Sequence, residues 1–338
     1  MNKELVLKAY GLLDQKDILE CLDYNDEKDW LELRKKGLGG SDMGAIMGLN
    51  KYSSPLKVYM DKVENIREDV SGKSAVRKGK DLESLIRTVY VTPYLGNKGY
   101  SVRSLQHILI NTTYPWIRAN LDGIAVNMED MQNHKKHIGI EIKVVTPFAE
   151  DAWNGDDYCG IPASYYAQCQ TYMLVTGLQE FILCALFENN WEMHYYNIPR
   201  DELFIARIIK ESKQFYEYNM QLKIRPTVKL PIDTDIVPKL VKDAEEIPTF
   251  VTGSMSEKIT EYKEAVNARK EAEKLENELK SELVDRYTKG ERPASPVCKM
   301  SISVVESRRL DTKRLQEEQP GLCEQYMVTS TSSRVTIK

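Results

Sequence analysis

The run Ile138-Gly139-Ile140-Glu141-Ile142-Lys143-Val144-Val145 decides the architecture. It is apolar and β-branched except for two charged residues two positions apart. In an extended chain Glu141 and Lys143 then share one face, while Ile140, Ile142 and Val144 turn to the other, into a core. Upstream, residues 117–126 form a second apolar run, and the polar stretch 127–137 between them marks a turn. This is the pattern of two adjacent strands. Downstream, residues 164–176 read as a helix, and 181–187 with 191–198 read as a hairpin around Glu188-Asn189-Asn190. Before the first strand, 41–48 reads as a helix capped by Ser41, a second helix opens at Ser54-Pro55, and 82–90 continues as helix. The order predicts an α/β domain with helices flanking a central mixed sheet.

Asp122, in Leu121-Asp122-Gly123, would lie beside Glu141 and Lys143 if the two strands pair. Two carboxylates and an ammonium on one face of an apolar hairpin are costly to bury unless a cation bridges them. Hard oxygen ligands of this kind suit Mg²⁺, with Mn²⁺ as a substitute, and such ions retain waters that can act as nucleophiles. The same spacing also suits a strand whose polar face simply meets solvent.

Composition sets the outer limits. The chain has 338 residues, with 47 Lys+Arg against 51 Asp+Glu, a near balance that excludes a uniformly basic nucleic-acid coat but not a focused basic groove. No apolar run reaches the roughly 20 residues needed to span a bilayer, and the acidic N-terminus does not suit a secretory signal. A cytoplasmic protein without a membrane partner is expected. The six cysteines are scattered and suit free thiols better than disulfides or a zinc site.

The organisation expected along the chain is an N-terminal arm or helix over 1–29 and a working domain over 30–224. A connector over 225–255 with four prolines follows, then a long charged amphipathic helix over 256–289 and a C-terminal strand and helix extension over 290–338. In the long helix Ala265, Ala268, Ala272, Leu275, Leu279 and Leu283 recur at steps of three and four, and Gly290 and Pro293 stop it. Strand-like runs are expected at 297–305 and 334–338, with a short helix near 311–317.

Further motifs sharpen the chemistry. Trp30-Leu31-Glu32-Leu33-Arg34 leads into Gly39-Gly40-Ser41-Asp42 and a small-residue helix. A helix start after two glycines leaves backbone N–H groups for an anion, and Arg34 can add a bidentate clamp. A capped helix with a surface arginine is the plainer reading of the same residues. Lys73, Arg77, Lys78, Lys80 and Arg87 form a basic run that suits a track for backbone phosphates or a solvated helix face. Tyr165 and Gln168 lie one helical turn apart and can face one site. Trp153 reads as packing on a loop.

Taken together, these motifs resemble the YqaJ-type viral recombinase family, lambda exonuclease-like nucleases of the PD-(D/E)XK superfamily. The resemblance rests on the Trp30–Arg34 and Gly39–Asp42 motifs, Tyr52 with Pro55 and Tyr59, Asp122 with Glu141 and Lys143, and Tyr165 with Gln168. It covers about residues 28–220, and the tail around Arg309–Leu315 resembles an extension seen in phage members. The resemblance implies a restriction-endonuclease-like core with a C-terminal long helix and small α+β extension. It implies metal binding by Asp122, Glu141 and the helical Glu83, and a water oriented or deprotonated by Lys143. Burial would lower the Lys143 pKa, and its acidic neighbours would oppose that shift. It also implies a 5′-phosphate corner at Arg34 and Ser41, with Asn120 where the family's nuclease has a serine. Tyr165, Arg77 and Lys78 would be further phosphate contacts, and Gln168 part of the catalytic group. The implied activity is Mg²⁺-dependent 5′-to-3′ degradation of double-stranded DNA ends, leaving single strands for an annealing protein, with a homo-oligomer, a trimer in relatives. An endonuclease or single-strand exonuclease of the superfamily, or a non-catalytic DNA-binding scaffold, are the alternatives.

Overall fold

The computed structural model describes residues 2–66, 74–242, 253–291, 301–303, 306 and 310–327. They fall into two compact units, Met1–Val237 and Pro238–Lys338.

In the first unit, helix α1 (Lys3–Ala9) leads through β1 (Leu19–Leu22), α2 (Glu27–Lys35) and β2 (Leu38–Gly39) to α3 (Gly40–Ile46) and α4 (Pro55–Lys62). Then come α5 (Ser74–Ile86), α6 (Thr92–Gly96), β3 (Tyr100–Arg103), β4 (Ile108–Asn111), β5 (Ile117–Ala119), β6 (Gly123–Asn127) and β7 (Ile138–Val145). Helix α7 (Ala163–Thr176), strands β8 (Glu180–Phe187) and β9 (Glu192–Pro199), and α8 (Glu202–Phe215) complete it. The strands form a four-stranded sheet, β1-β4-β5-β2, and a five-stranded sheet, β3-β6-β7-β8-β9. Both sheets are mixed: β2 runs parallel to β5 and β7 parallel to β8, while the other pairs are antiparallel. The mixed α/β architecture read from the sequence is therefore present.

Strand β7 lies at the centre of the larger sheet and is covered on both faces. Ile138, Ile140 and Ile142 pack with Ile86, Val91 and Leu95, and with Leu82 at the margin, beneath α5 and α6. Each fully buried isoleucine contributes about 2 kcal/mol of transfer free energy. Gly139 and Glu141 face the opposite way, and Gly139 is spared a side chain because the Phe181 ring occupies the space a Cβ would need.

Three expectations are corrected. The run 117–126 is not one strand: β5 and β6 belong to different sheets, and the chain crosses between them at Asn120-Leu121-Asp122. Asp122 thus sits in a break, where its side chain is not bound to the strand's alternation. Ser41 does not cap α3, because Gly39 is the cap and Asp42 Oδ2 accepts its N–H at 2.7 Å. The helix expected over 82–90 gives way to a wider π turn at Arg87–Val91. Residues 1–29 contain a helix, α1, and pack in the first unit, with Val6, Leu7, Leu12 and Leu19 buried and β1 paired to β4.

The second unit begins near α9 (Val237–Lys242) and contains α10 (Gly253–Thr288), α11 (Thr312–Glu318) and α12 (Pro320–Gln325). Helix α10 has 36 residues and is supported by i,i+4 pairs such as Arg286–Glu282 at 2.9 Å and Lys289–Asp285 at 2.6 Å. The strand-like runs at 297–305 and 334–338 lie outside the described residues, apart from 301–303, which are irregular. No described helix is long and apolar enough to cross a membrane, and five cysteines are free thiols among the described residues.

Candidate active site

Strand β7 and helix α7 build the centre. Glu141 is 1% exposed. Its Oε1 accepts from Gln168 Nε2 at 2.7 Å and from Lys143 Nζ, whereas its Oε2 is buried with no partner. Gln168 also donates to the Tyr172 hydroxyl at 3.0 Å. Asp122 Oδ2 accepts the Ile142 N–H at 2.8 Å, which carries its carboxylate to the Glu141 strand. The Lys143 ammonium stands 5.0 Å from the centroid of the Tyr165 ring. Asp122, Glu141, Lys143 and Gln168 are thus brought together, with Tyr165 beneath the lysine.

The charges are strongly coupled. Burial and the neighbouring Glu141 push the Asp122 carboxyl well above its ordinary range, with Lys143 opposing. Burial likewise pushes Glu141 up against the pull of Lys143. For Lys143, burial favours the neutral amine, but Glu141 and Asp122 outweigh it and the pKa rises. Of the two opposed influences read from the sequence, the acidic neighbours prevail over burial and favour the charged ammonium.

Glu83 is only partly joined to this group. It lies on α5, whose Leu82 and Ile86 pack on the other face of β7, and its carboxylate pairs with Arg87 at 3.0 Å. Its charge is felt by both Asp122 and Glu141. Among the described residues no three His, Cys, Asp or Glu side chains converge closely enough to enclose a metal. The two-carboxylate set Asp122 and Glu141 still fits a hard cation. Glu141 holds an unpartnered buried oxygen, and Mg²⁺ is commonly held by one or two carboxylates and waters.

A second corner lies on α2, α3 and α4. Arg34 donates to Ser41 Oγ at 3.0 Å and its guanidinium stands 4.7 Å from the Trp30 ring centroid. Trp30 Nε1 donates to Asn120 Oδ1 at 2.9 Å, which turns the Asn120 amide so that its NH₂ is the end left to donate. Lys62, buried in this corner, pairs with Asp42 at 2.9 Å and donates to the Arg34 carbonyl at 3.2 Å. Burial alone would raise Asp42, but Lys62 and then Arg34 hold it below the usual carboxylate range. Arg34, Ser41 and Asn120 are therefore gathered around one network through Trp30. The seven-residue α3 keeps an aspartate in its first turn, so the positive charge of this corner comes from Arg34 and Lys62 and not from the helix terminus.

The basic run does not form a single unpaired track. Lys78 pairs with Glu188 at 3.3 Å, Lys80 pairs with Glu27 at 2.8 Å, and Arg77 is exposed. Lys73 lies outside the described residues. Arg87 leaves the run and donates to the Asp122 carbonyl at 2.7 Å. Lys62, Tyr172 and this role of Arg87 were not read from the sequence. Lys62 follows the Ser54-Pro55 helix start by two turns, but nothing local marks it as buried.

Residues 29–179 match the family model of the YqaJ-like viral recombinase domain. The chain is 26% identical over 330 residues to the uncharacterized protein YqaJ of Bacillus subtilis (strain 168), spanning 94% of this chain and 97% of that protein. Among solved structures it is similar to an alkaline exonuclease (LHK-Exo) from Laribacter hongkongensis, at 20% identity and a TM-score of 0.44, covering 64% of this chain and 100% of that one. It is also similar to a phage related exonuclease from Haemophilus somnus 129PT, at 13% identity and a TM-score of 0.38, covering 58% and 100%. The matched span holds Arg34, Ser41, Asp122, Glu141, Lys143 and Gln168, and over residues 29–179 the chain is similar to the YqaJ-like viral recombinase domain.

Proposed function

We propose that this protein is a Mg²⁺-dependent exonuclease that degrades double-stranded DNA ends 5′ to 3′. The observation that carries the reading is Glu141, a buried carboxylate with one oxygen unpartnered beside a second, half-buried carboxylate, Asp122. Such a pair is unfavourable by itself and becomes favourable around a divalent cation. The ion, held by Asp122 and Glu141 with Glu83 through water, would polarise a phosphodiester and supply a nucleophilic water. Mn²⁺ is the expected substitute.

The chain's own groups divide the remaining work. Lys143, held protonated, orients the attacking water and offsets charge building on the phosphate. Gln168 fixes the Glu141 carboxylate by its 2.7 Å hydrogen bond. Arg34, Ser41 and the Asn120 amide hold a terminal 5′-phosphate, which gives preference for an end over an internal bond. Tyr165, Arg77 and Lys78 contact the backbone further along. The single strand left behind would pass to a strand-annealing protein, and a homo-oligomer encircling the duplex would keep the enzyme on its track.

The test is hydrolysis of linear duplexes labelled at either end, with 5′-phosphate or 5′-hydroxyl, and of closed circles, each with and without Mg²⁺. Release of nucleotides from 5′-phosphorylated ends, dependent on Mg²⁺ and lost in Glu141→Gln, is expected. Rapid cutting of circles would overturn the exonuclease reading in favour of an endonuclease. Equal release by wild type and Glu141→Gln would remove the site assignment altogether.

A further inference from the structure

Next to the catalytic strand lies a cavity of about 400 Å³ that the reading above does not use. One wall is the loop after β7, including Trp153, Asp156, Asp157 and Tyr158; the other is Leu49–Tyr52, the chain leaving α3. Tyr165 is also in the lining, and the same ring lies 5.0 Å from the Lys143 ammonium. Ser164, also in the lining, packs so tightly on Gly44 of α3 that a Cβ there would meet the Ser164 Cβ at 2.7 Å. The cavity thus adjoins the proposed chemistry on one side and the helix that begins at the phosphate corner on the other.

Its chemistry is distinct from both. The walls are aromatic, and the charged lining is two aspartates against one lysine, Lys51, whose ammonium lies 5.1 Å from the Tyr52 ring centroid. A phosphate would be repelled here, whereas a neutral planar ring that offers N–H donors would be welcomed. Two large aromatic side chains are left in water beside it: Tyr52, 67% exposed, and Phe148, 96% exposed and next to the lining residue Ala149. Exposed rings beside an aromatic cavity are platforms for stacking. The loop wall is held in an uncommon form, with Asn154, Tyr158 and Cys159 all at positive φ, a feature that persists only where the surroundings enforce it.

We propose that this cavity receives a nucleobase, that of the nucleotide whose phosphate is presented to Glu141 and Lys143, stacked on Tyr52 with its N–H groups turned to Asp156 and Asp157. The identity of the ligand rests on the nuclease reading; the existence of the pocket does not. A base held there draws the terminal nucleotide out of the duplex stack and aligns its phosphate with the carboxylates.

Two measurements test it on the full chain. Saturation-transfer NMR without metal or DNA compares 2′-deoxyadenosine with 1,2-dideoxyribose, the same sugar lacking a base. Saturation of the base protons is expected, none of the bare sugar, and a loss of about tenfold in affinity in Tyr52→Ala, the size of one lost stacking partner. Tyr52 is largely exposed, so the fold should survive, and circular dichroism confirms it. Absence of deoxyadenosine binding, or equal binding by Tyr52→Ala, overturns the pocket. This readout needs no hydrolysis, so it separates failure of the pocket from failure of the nuclease reading. The second measurement uses duplexes with an intact or an abasic 5′-terminal nucleotide under single turnover. Wild type should cleave the abasic end about tenfold more slowly, and Tyr52→Ala should treat the two alike. Equal rates in wild type overturn the proposal.

Discussion

Gly40 lies flat against the ring of Tyr172: a Cβ on the glycine would meet the tyrosine Cε1 at 2.5 Å. The Tyr172 hydroxyl accepts from the same Gln168 nitrogen that donates to Glu141. The corner that holds Arg34 and Ser41 is therefore mechanically continuous with the buried carboxylate. Gly40→Ala should displace the ring, lower stability by about 1–3 kcal/mol and reduce turnover even though no polar group is lost. Arg34→Ala should instead raise KM for 5′-phosphorylated ends. Denaturant unfolding and steady-state kinetics of the two variants check this; a wild-type kcat in Gly40→Ala would show that the two corners are independent.

Gln168→Ala removes the neutral donor to Glu141 and leaves Lys143 as its remaining partner. A loss of roughly 10–100-fold in kcat or in Mg²⁺ affinity is expected, as for other groups that orient a ligand, with little change in end binding. Mg²⁺ titrations of activity and gel-shift measurements with uncleavable ends distinguish the two effects.

The Asp122 carboxyl is held above its ordinary pKa in the fold. The native chain then binds more protons than the unfolded chain, so this group's contribution to stability falls as pH rises from its unfolded value, about 4, toward its folded value. Above that, the penalty of an ionised, half-buried carboxylate is fully present. Metal-free Asp122→Asn should accordingly melt a few degrees higher than wild type at neutral pH, by roughly 2–4 °C for each kcal/mol recovered, while losing hydrolysis. Calorimetry in chelator at pH 5 and pH 8 tests this, and a lower Tm in the variant at pH 8 would contradict it.

Asp42 has the opposite sign. Lys62 and Arg34 hold its pKa down despite burial, so its stabilising contribution is present above the unfolded value and is lost as pH falls through the lower folded one. Lys62→Met leaves that carboxylate buried without its closest partner and should cost about 3–5 kcal/mol at neutral pH. Protonating Asp42 relieves the deficit, so the gap to wild type should narrow on acidification. Urea midpoints across pH 4–8 report the trend.

Much of this was legible in the sequence because it is local. The alternation around Glu141 and Lys143, the turn 127–137 and the helix bearing Gln168 each follow from residue type and spacing, and β7 and α7 stand where the pattern put them. The break at Asn120-Leu121-Asp122 was hidden, since the residues on either side are equally apolar and only pairing partners reveal that two sheets meet there. Lys62 and Arg87 were hidden for a related reason. Each looks like an ordinary helix cation, and only tertiary packing buries Lys62 against Asp42 or brings Arg87 to the Asp122 carbonyl. Lys143 was legible in position but not in charge, because the balance between burial and two carboxylates depends on distances no spacing encodes.

The parallel pairing of β7 with β8 has a consequence for synthesis. Those strands are joined through α7, so during translation the glutamate emerges first, its amide partner next and the strand that shields it last. A nascent chain whose β8 is still in the ribosome leaves one edge of β7 unpaired and in water, where Glu141 titrates as a surface acid and has no reason to gather a cation. The conditions that make this carboxylate pair reactive come into being only when the sheet closes, so hydrolytic competence should arrive late and all at once.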